Sequence, residues 1–174
     1  MKSLKVKSAV LFLICGLAMS ASGQIYGSDK EAGKVFKAGL KNQELTHFKI
    51  ARATWSTLFK QFNFKNPKYH LMDTTSAKAI NSTEWKFFLA SIDTAKIQDF
   101  KLDSKVLKLS KSSNDPDQMV RVSFSSPVFS NDKNLCVFFL RQYSSPENSS
   151  GNVFFLKKNG KKWKVVKNIM TYIS

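Results

Sequence analysis

The dipeptide Asn159-Gly160, set between residues 152–158 and 161–167, constrains this chain more than any other feature. Asn-Gly flanked by apolar or alternating runs is the strongest short-range signal for a tight β-hairpin, because both residues tolerate the positive φ such a turn demands. Upstream, Val120, Val122 and Phe124 alternate with Arg121, Ser123 and Ser125, the period of a half-buried strand. Pro127 ends or bulges that strand, and Asn131-Asp132-Lys133-Asn134 supplies a turn. Residues 135–143 are apolar on both faces, which predicts a central strand covered from two sides. The polar run SSPENSSG at 144–151 reads as a flexible loop.

The N-terminal half carries helical signals instead. Ser28-Asp29-Lys30-Glu31 offers a cap with acids in the first turn. Val35, Phe36, Leu40 and Leu45 then form a stripe that Gly33 and Gly39 weaken. Residues 46–64 read as a strand followed by an irregular or helical turn, Asn66-Pro67 breaks the chain, and 69–72 reads as a short strand. The clearest helix has Ser82 or Thr83 as cap, Glu84 in its first turn, and Trp85, Phe88, Leu89 and Ile92 on one face. Asp93-Thr94 stops or restarts it, 105–109 alternates like a strand, and 110–117 is a polar loop. The expected fold class is α+β: an antiparallel β-meander of about four or more strands in the C-terminal half, covered on one face by helices from the N-terminal half.

Residues 1–23 have the order of an export signal. Lys2, Lys5 and Lys7 precede an apolar run at 9–19, and Ala21 and Gly23 stand at −3 and −1 before Gln24. That run falls short of the roughly 20 residues a spanning helix needs. Cys15 follows Ile14 inside the run, so it does not fit a lipid-anchor site. The expectation is cleavage after Gly23, a periplasmic or secreted product with no membrane span, and one α+β domain over 24–174. Only Cys136 then remains, within LCVFFL, and an inert buried thiol is expected there.

Charge narrows the partners. The full chain carries a formal +16, and removing the three leader lysines leaves +13. The excess sits in 24–69 and 133–174, while 70–132 balances. If those ends meet, they form a cationic face that attracts polyanions. For an exported protein the fitting partners are an anionic envelope glycan, a lipid head group or an acidic protein, not nucleic acid. Lysines that merely solubilise a surface or protect a sheet edge are the competing explanation. The densest group is Lys157, Lys158, Lys161, Lys162 and Lys164 around the hairpin turn, and these are the candidate binding residues. Alternation sends Lys162 and Lys164 to one face, and Trp163 and Val165 to the core side.

The phrases VSFSSPVFSNDKN, LCVFFLRQY and GNVFFLKKNGKKWKVVKNIMTYIS resemble the C-terminal half of a group of small exported Bacteroidota proteins of unknown function. Members share Ser-x-Pro-(apolar)-Phe-Ser, matched by Ser125, Pro127, Val128, Phe129 and Ser130. They also share a closing Lys-x-Gly-Lys-Trp-Lys hairpin, matched with one added lysine by Lys158, Gly160, Lys161, Trp163 and Lys164. Many carry a Cys-Gly-rich segment between two strands; here that place is SSPENSSG, so no thiol role carries over. The resemblance implies export and a fold, and no activity.

Catalytic patterns are missing from the sequence. His47 and His70 have no carboxylate at ligand spacing, so neither a metal site nor a cofactor is expected. There is no G-x-S-x-G elbow, no H-E-x-x-H and no phosphate-cradling glycine loop. Asp99 and Asp103, four apart in a charged stretch, read as a solvated face. Asp73-Thr74-Thr75 and Asp93-Thr94-Ala95 resemble O-glycosylation acceptors of exported Bacteroidota proteins, which makes Thr74 and Thr94 candidate modification sites. The leading expectation is therefore a binding or interaction module with a basic face. The alternatives are an enzyme whose site is assembled from scattered residues, and a structural accessory of an envelope complex.

Overall fold

A computed structural model describes residues 25–26, 29–43, 47–64, 79–102, 120–145 and 148–173. Along them run β1 (Ile25–Tyr26), α1 (Asp29–Asn42), β2 (Phe48–Ile50), α2 (Thr57–Lys60), α3 (Thr83–Ser91), β3 (Val120–Phe124), β4 (Val128–Phe129), β5 (Leu135–Ser145), β6 (Asn148–Asn159) and β7 (Lys162–Ile173). The leader, Leu45, the Asn66-Pro67 break, the strands expected at 69–72 and 105–109, the loop at 110–117, His70 and Thr74 lie outside the described residues.

Both expected helices form, α1 with Val35, Phe36 and Leu40 of its stripe buried and its expected cap residue Ser28 outside the described residues, and α3 with Ser82 as its cap. In α1 the buried side chains are Ala32, Val35, Phe36 and Leu40. Gly39 is a poor helix former with a reason to be there: a Cβ at that position would lie 2.5 Å from Phe138 Cζ. Its bare backbone lets α1 settle onto the aromatic floor of the sheet. In α3 the Ser82 hydroxyl caps the helix by accepting the Trp85 N–H at 3.4 Å, and Trp85, Phe88 and Leu89 are buried. The chain restarts after Ile92, where the Asp93 carboxylate accepts the Ala95 N–H at 3.1 Å to cap a 3-10 turn, Thr94–Lys96.

The sheet is mostly antiparallel and the fold is α+β. β5 pairs with β6 along nearly its whole length, and β6 pairs with β7. The other edge of β5 is shared end to end, with β3 against Leu140–Tyr143 and β4 against Cys136 and Val137. β1 extends the sheet beyond β4, and β2 runs parallel to β3. Between β3 and β4 the Ser125 hydroxyl accepts the Phe139 N–H at 2.8 Å, standing in for a main-chain partner. Ser130 Oγ accepts the Leu135 N–H at 2.9 Å and closes the turn into β5. The Ser-x-Pro-(apolar)-Phe-Ser phrase is thus the joint at which an edge strand breaks and resumes.

Three expectations are corrected. SSPENSSG is not a loop throughout: Ser145 pairs with Asn148, so strand reaches both sides of residues 146–147. The last hairpin turns one residue late. Asn159 pairs with Lys162, which makes Gly160 and Lys161 the two loop residues. Gly160 has φ +58° and Asn159 stays in the ordinary region, the pattern of a turn with glycine first.

The third correction concerns the layers, because helices cover both faces of the sheet. On one face α1 packs Val35 and Phe36 against Phe124, Phe138, Phe154 and Leu156. On the other, α2 and α3 bring Phe59, Trp85, Phe88 and Leu89 to Val137, Phe139, Val153 and Phe155. The reason lies in the strands themselves. Residues Leu135–Leu140 and Val153–Leu156 are buried at every position, so covering one face would strand half of them in water.

Candidate binding surface on the terminal hairpin

Neighbouring residues of a strand point to opposite faces, so Lys157 and Lys158 part company. Each meets a glutamate in the first turn of the helix on its side. Lys158 Nζ lies 3.4 Å from Glu31 Oε1 of α1, and Lys157 Nζ lies 2.7 Å from Glu84 Oε2 of α3. First-turn acids also complement the partial positive charge of a helix N-terminus.

On the α1 face the arrangement is enclosed. Glu31 also accepts the Trp163 indole N–H at 2.9 Å and pairs with Lys34 at 2.8 Å. Lys158 lies over the Trp163 ring, 5.4 Å from its centre, and Phe129 packs against the same indole at 5.6 Å. Burial on its own would raise the Glu31 pKa. The bonds from Lys34 and Trp163 and the charge of Lys158 outweigh that and hold the carboxyl at about 2, against an ordinary 4.5. Trp163 is therefore a core anchor with a satisfied N–H.

The α3 face is open. Lys161, Lys162 and Lys164 are exposed and pair with no acid among the described residues. Lys161 sits in the turn, and Lys164 stands directly across from Lys157 in register. Like charges in that relation repel across a sheet. Of the five candidate lysines, the fold thus brings Lys157, Lys162 and Lys164 to one face, adds Lys161 at the tip, and removes Lys158 to the other side.

No protein-family model, curated protein or solved structure matches this chain.

The remaining candidates fall as follows. Thr94 is half-buried in the turn that follows Asp93. Cys136 is fully buried, and burial, with Glu31 nearby adding to it, pushes its thiol well above the ordinary value. That suppresses the thiolate any nucleophilic role requires. Asp99 is not part of a free charged face: it accepts the Ser56 hydroxyl at 2.5 Å and the Ser56 N–H at 3.2 Å. Ser56 Oγ in turn accepts the Ser126 N–H at 3.0 Å, so the group staples three chain segments beside the β3–β4 joint. Among the described residues, no group of three or more His, Cys, Asp or Glu side chains gathers as a metal site, and no helix is long and apolar enough to cross a membrane.

Sequence reasoning missed the two glutamates and a stacked arginine. Arg141 holds its guanidinium carbon 4.9 Å from the Trp55 ring centre and 5.3 Å from that of Tyr143. The signal for Glu31 and Glu84 was present, since both were visible as first-turn acids. Their lysine partners lie 127 and 73 residues further along the chain.

Proposed function

We propose that this protein is an exported binding module whose terminal hairpin engages an anionic partner of the cell envelope through its open face. The observation that carries this reading is the Lys157–Lys164 cross-strand pair, with Lys161 and Lys162 beside it and Glu84 as the one acid that answers them among the described residues. A fold gains nothing from placing like charges opposite each other, and a bound anion relieves the repulsion. The consecutive strands β5, β6 and β7, taken as a meander, carry the Gly160-Lys161 tip at an outer end of the sheet. The leader-like order of residues 1–23 supports export. Amino-terminal sequencing of the protein from an envelope fraction then reads Gln24 first.

The test is retention on a heparin column. The purified protein elutes late, and the triple variant Lys161→Glu, Lys162→Glu, Lys164→Glu elutes near the void while its circular dichroism is unchanged. Equal retention of a folded variant overturns the reading. One observation favours a second explanation: among the described residues β7 pairs only with β6, and lysines on an outer strand also discourage edge-to-edge association. In that case the variant self-associates on size exclusion and the parent protein shows no special retention on heparin.

A further inference from the structure

We infer that the anion this face receives is the surface of an anionic bilayer, with Phe87 as the apolar anchor beside the lysines. The inference rests on the hairpin reading and names its partner. Phe87 is 75% exposed, the most exposed large apolar side chain among the described residues. Everything around it in α3 is well placed: Trp85, Phe88 and Leu89 fill the core, with Trp85 packed edge-on against Phe155 of β6 at 5.8 Å. Phe87 is therefore not a core residue that failed to find its place.

Its position relative to the lysines follows from helix geometry. Glu84, one turn earlier, reaches down to Lys157 at 2.7 Å. Residues three apart are neighbours on a helix, displaced by about 60° around the axis. Phe87 accordingly stands on the shoulder of the Glu84–Lys157 bridge, turned further from the sheet. Beyond the bridge lie Lys164, Lys162 and the Lys161 tip. An aromatic side chain projecting near lysines that meet no acid among the described residues is the combination that interfacial membrane binding uses: the ring enters the acyl boundary while the ammonium groups meet phosphate oxygens. A glycan or an acidic peptide also answers the lysines, but only a bilayer sets a continuous apolar phase, deep enough for the whole ring, directly beneath its layer of phosphates.

The experiment separates the two contributions. Vesicles of phosphatidylcholine with phosphatidylglycerol, and vesicles of phosphatidylcholine alone, are sedimented with the purified protein. The expected result is binding to the anionic vesicles only, weakening as salt rises. Phe87→Ser then weakens vesicle binding at least about tenfold, the order expected for losing a buried phenyl ring, and leaves heparin retention unchanged. Phe87→Trp keeps the vesicle binding. Because the side chain is exposed, neither variant shifts the thermal midpoint appreciably. If Phe87→Ser binds vesicles as the parent does, the inference is overturned and the hairpin reading stands. Retention on heparin without any vesicle binding overturns it in the same way and points to a soluble polyanion or an acidic protein. Absence of both sinks the two proposals together.

Discussion

The two faces of the sheet use one device in two settings. On each, a first-turn glutamate of the covering helix takes a lysine of β6, yet the Glu31 side chain is 21% exposed and that of Glu84 is 45% exposed. Glu31 gathers an indole N–H and two ammonium groups, and its pKa falls to about 2. Glu84 holds a single lysine in water. Lower exposure reduces screening of an ion pair but costs desolvation, so a shielded acid adds stability where several donors share it, as they do at Glu31. The α1 face therefore gathers its charges around Glu31, whereas on the α3 face Lys162 and Lys164 meet no acid among the described residues.

The largest effect that can test this contrast comes from the aromatic layers. Phe138→Ala on the α1 face and Phe155→Ala on the α3 face each lower unfolding free energy by about 3–5 kcal/mol in urea denaturation, because both rings are fully enclosed. A much smaller loss for Phe155→Ala shows that the α3 layer is the weaker of the two.

Gly39→Ala sharpens the contrast on the α1 face. The added methyl meets the Phe138 ring, and the net loss is about 1–3 kcal/mol even though alanine favours helix. A gain in stability instead means that α1 does not press on the sheet there.

Next come the glutamates themselves. Glu31→Gln costs about 1–2 kcal/mol, while Glu84→Gln costs less than about 1 kcal/mol. Glu31 also has a pH signature. With its pKa lowered from 4.5 to about 2 in the folded chain, Glu31 supplies stability that is present in full above its unfolded value. That stability drains away as pH falls from about 4.5 toward 2, because the unfolded chain takes up the proton first. A pH series of denaturation midpoints shows this acid limb in the parent protein, and Glu31→Gln flattens it. The smallest expectation is a rate: in native buffer Cys136 reacts with a thiol reagent only as fast as the fold opens, since its sulfur is buried and protonated.

Much of the architecture was legible because it rests on local chemistry. Ser82 and the Trp85, Phe88, Leu89 stripe define α3 without help from the rest of the chain. The run Leu135–Leu140 announces a strand enclosed on two sides, and that reading sits poorly with helices on one face alone; the strand was the better guide. The stretch 144–151 misled because Ser and Asn favour loops, whereas here they find strand partners: Ser149 is buried, and Ser144 donates to the Asn148 carbonyl at 3.2 Å. The hairpin turn moved by one residue because Gly160 alone supplies the positive φ and Asn159 is spent in pairing. For the surface, the five lysines were visible but their partition was not. Which of them are neutralised depends on where α1 and α3 come to rest, and no local pattern carries that information.

The sharing of Lys157 and Lys158 between two helices has a bearing on alignment. Sliding β6 by a single position would send each ammonium group to the other side, break the Lys157–Glu84 and Lys158–Glu31 bridges at once, and exchange the side chains destined for the two cores. Misalignment is thus penalised by charge and by packing together, and the strand has one setting that satisfies both helices.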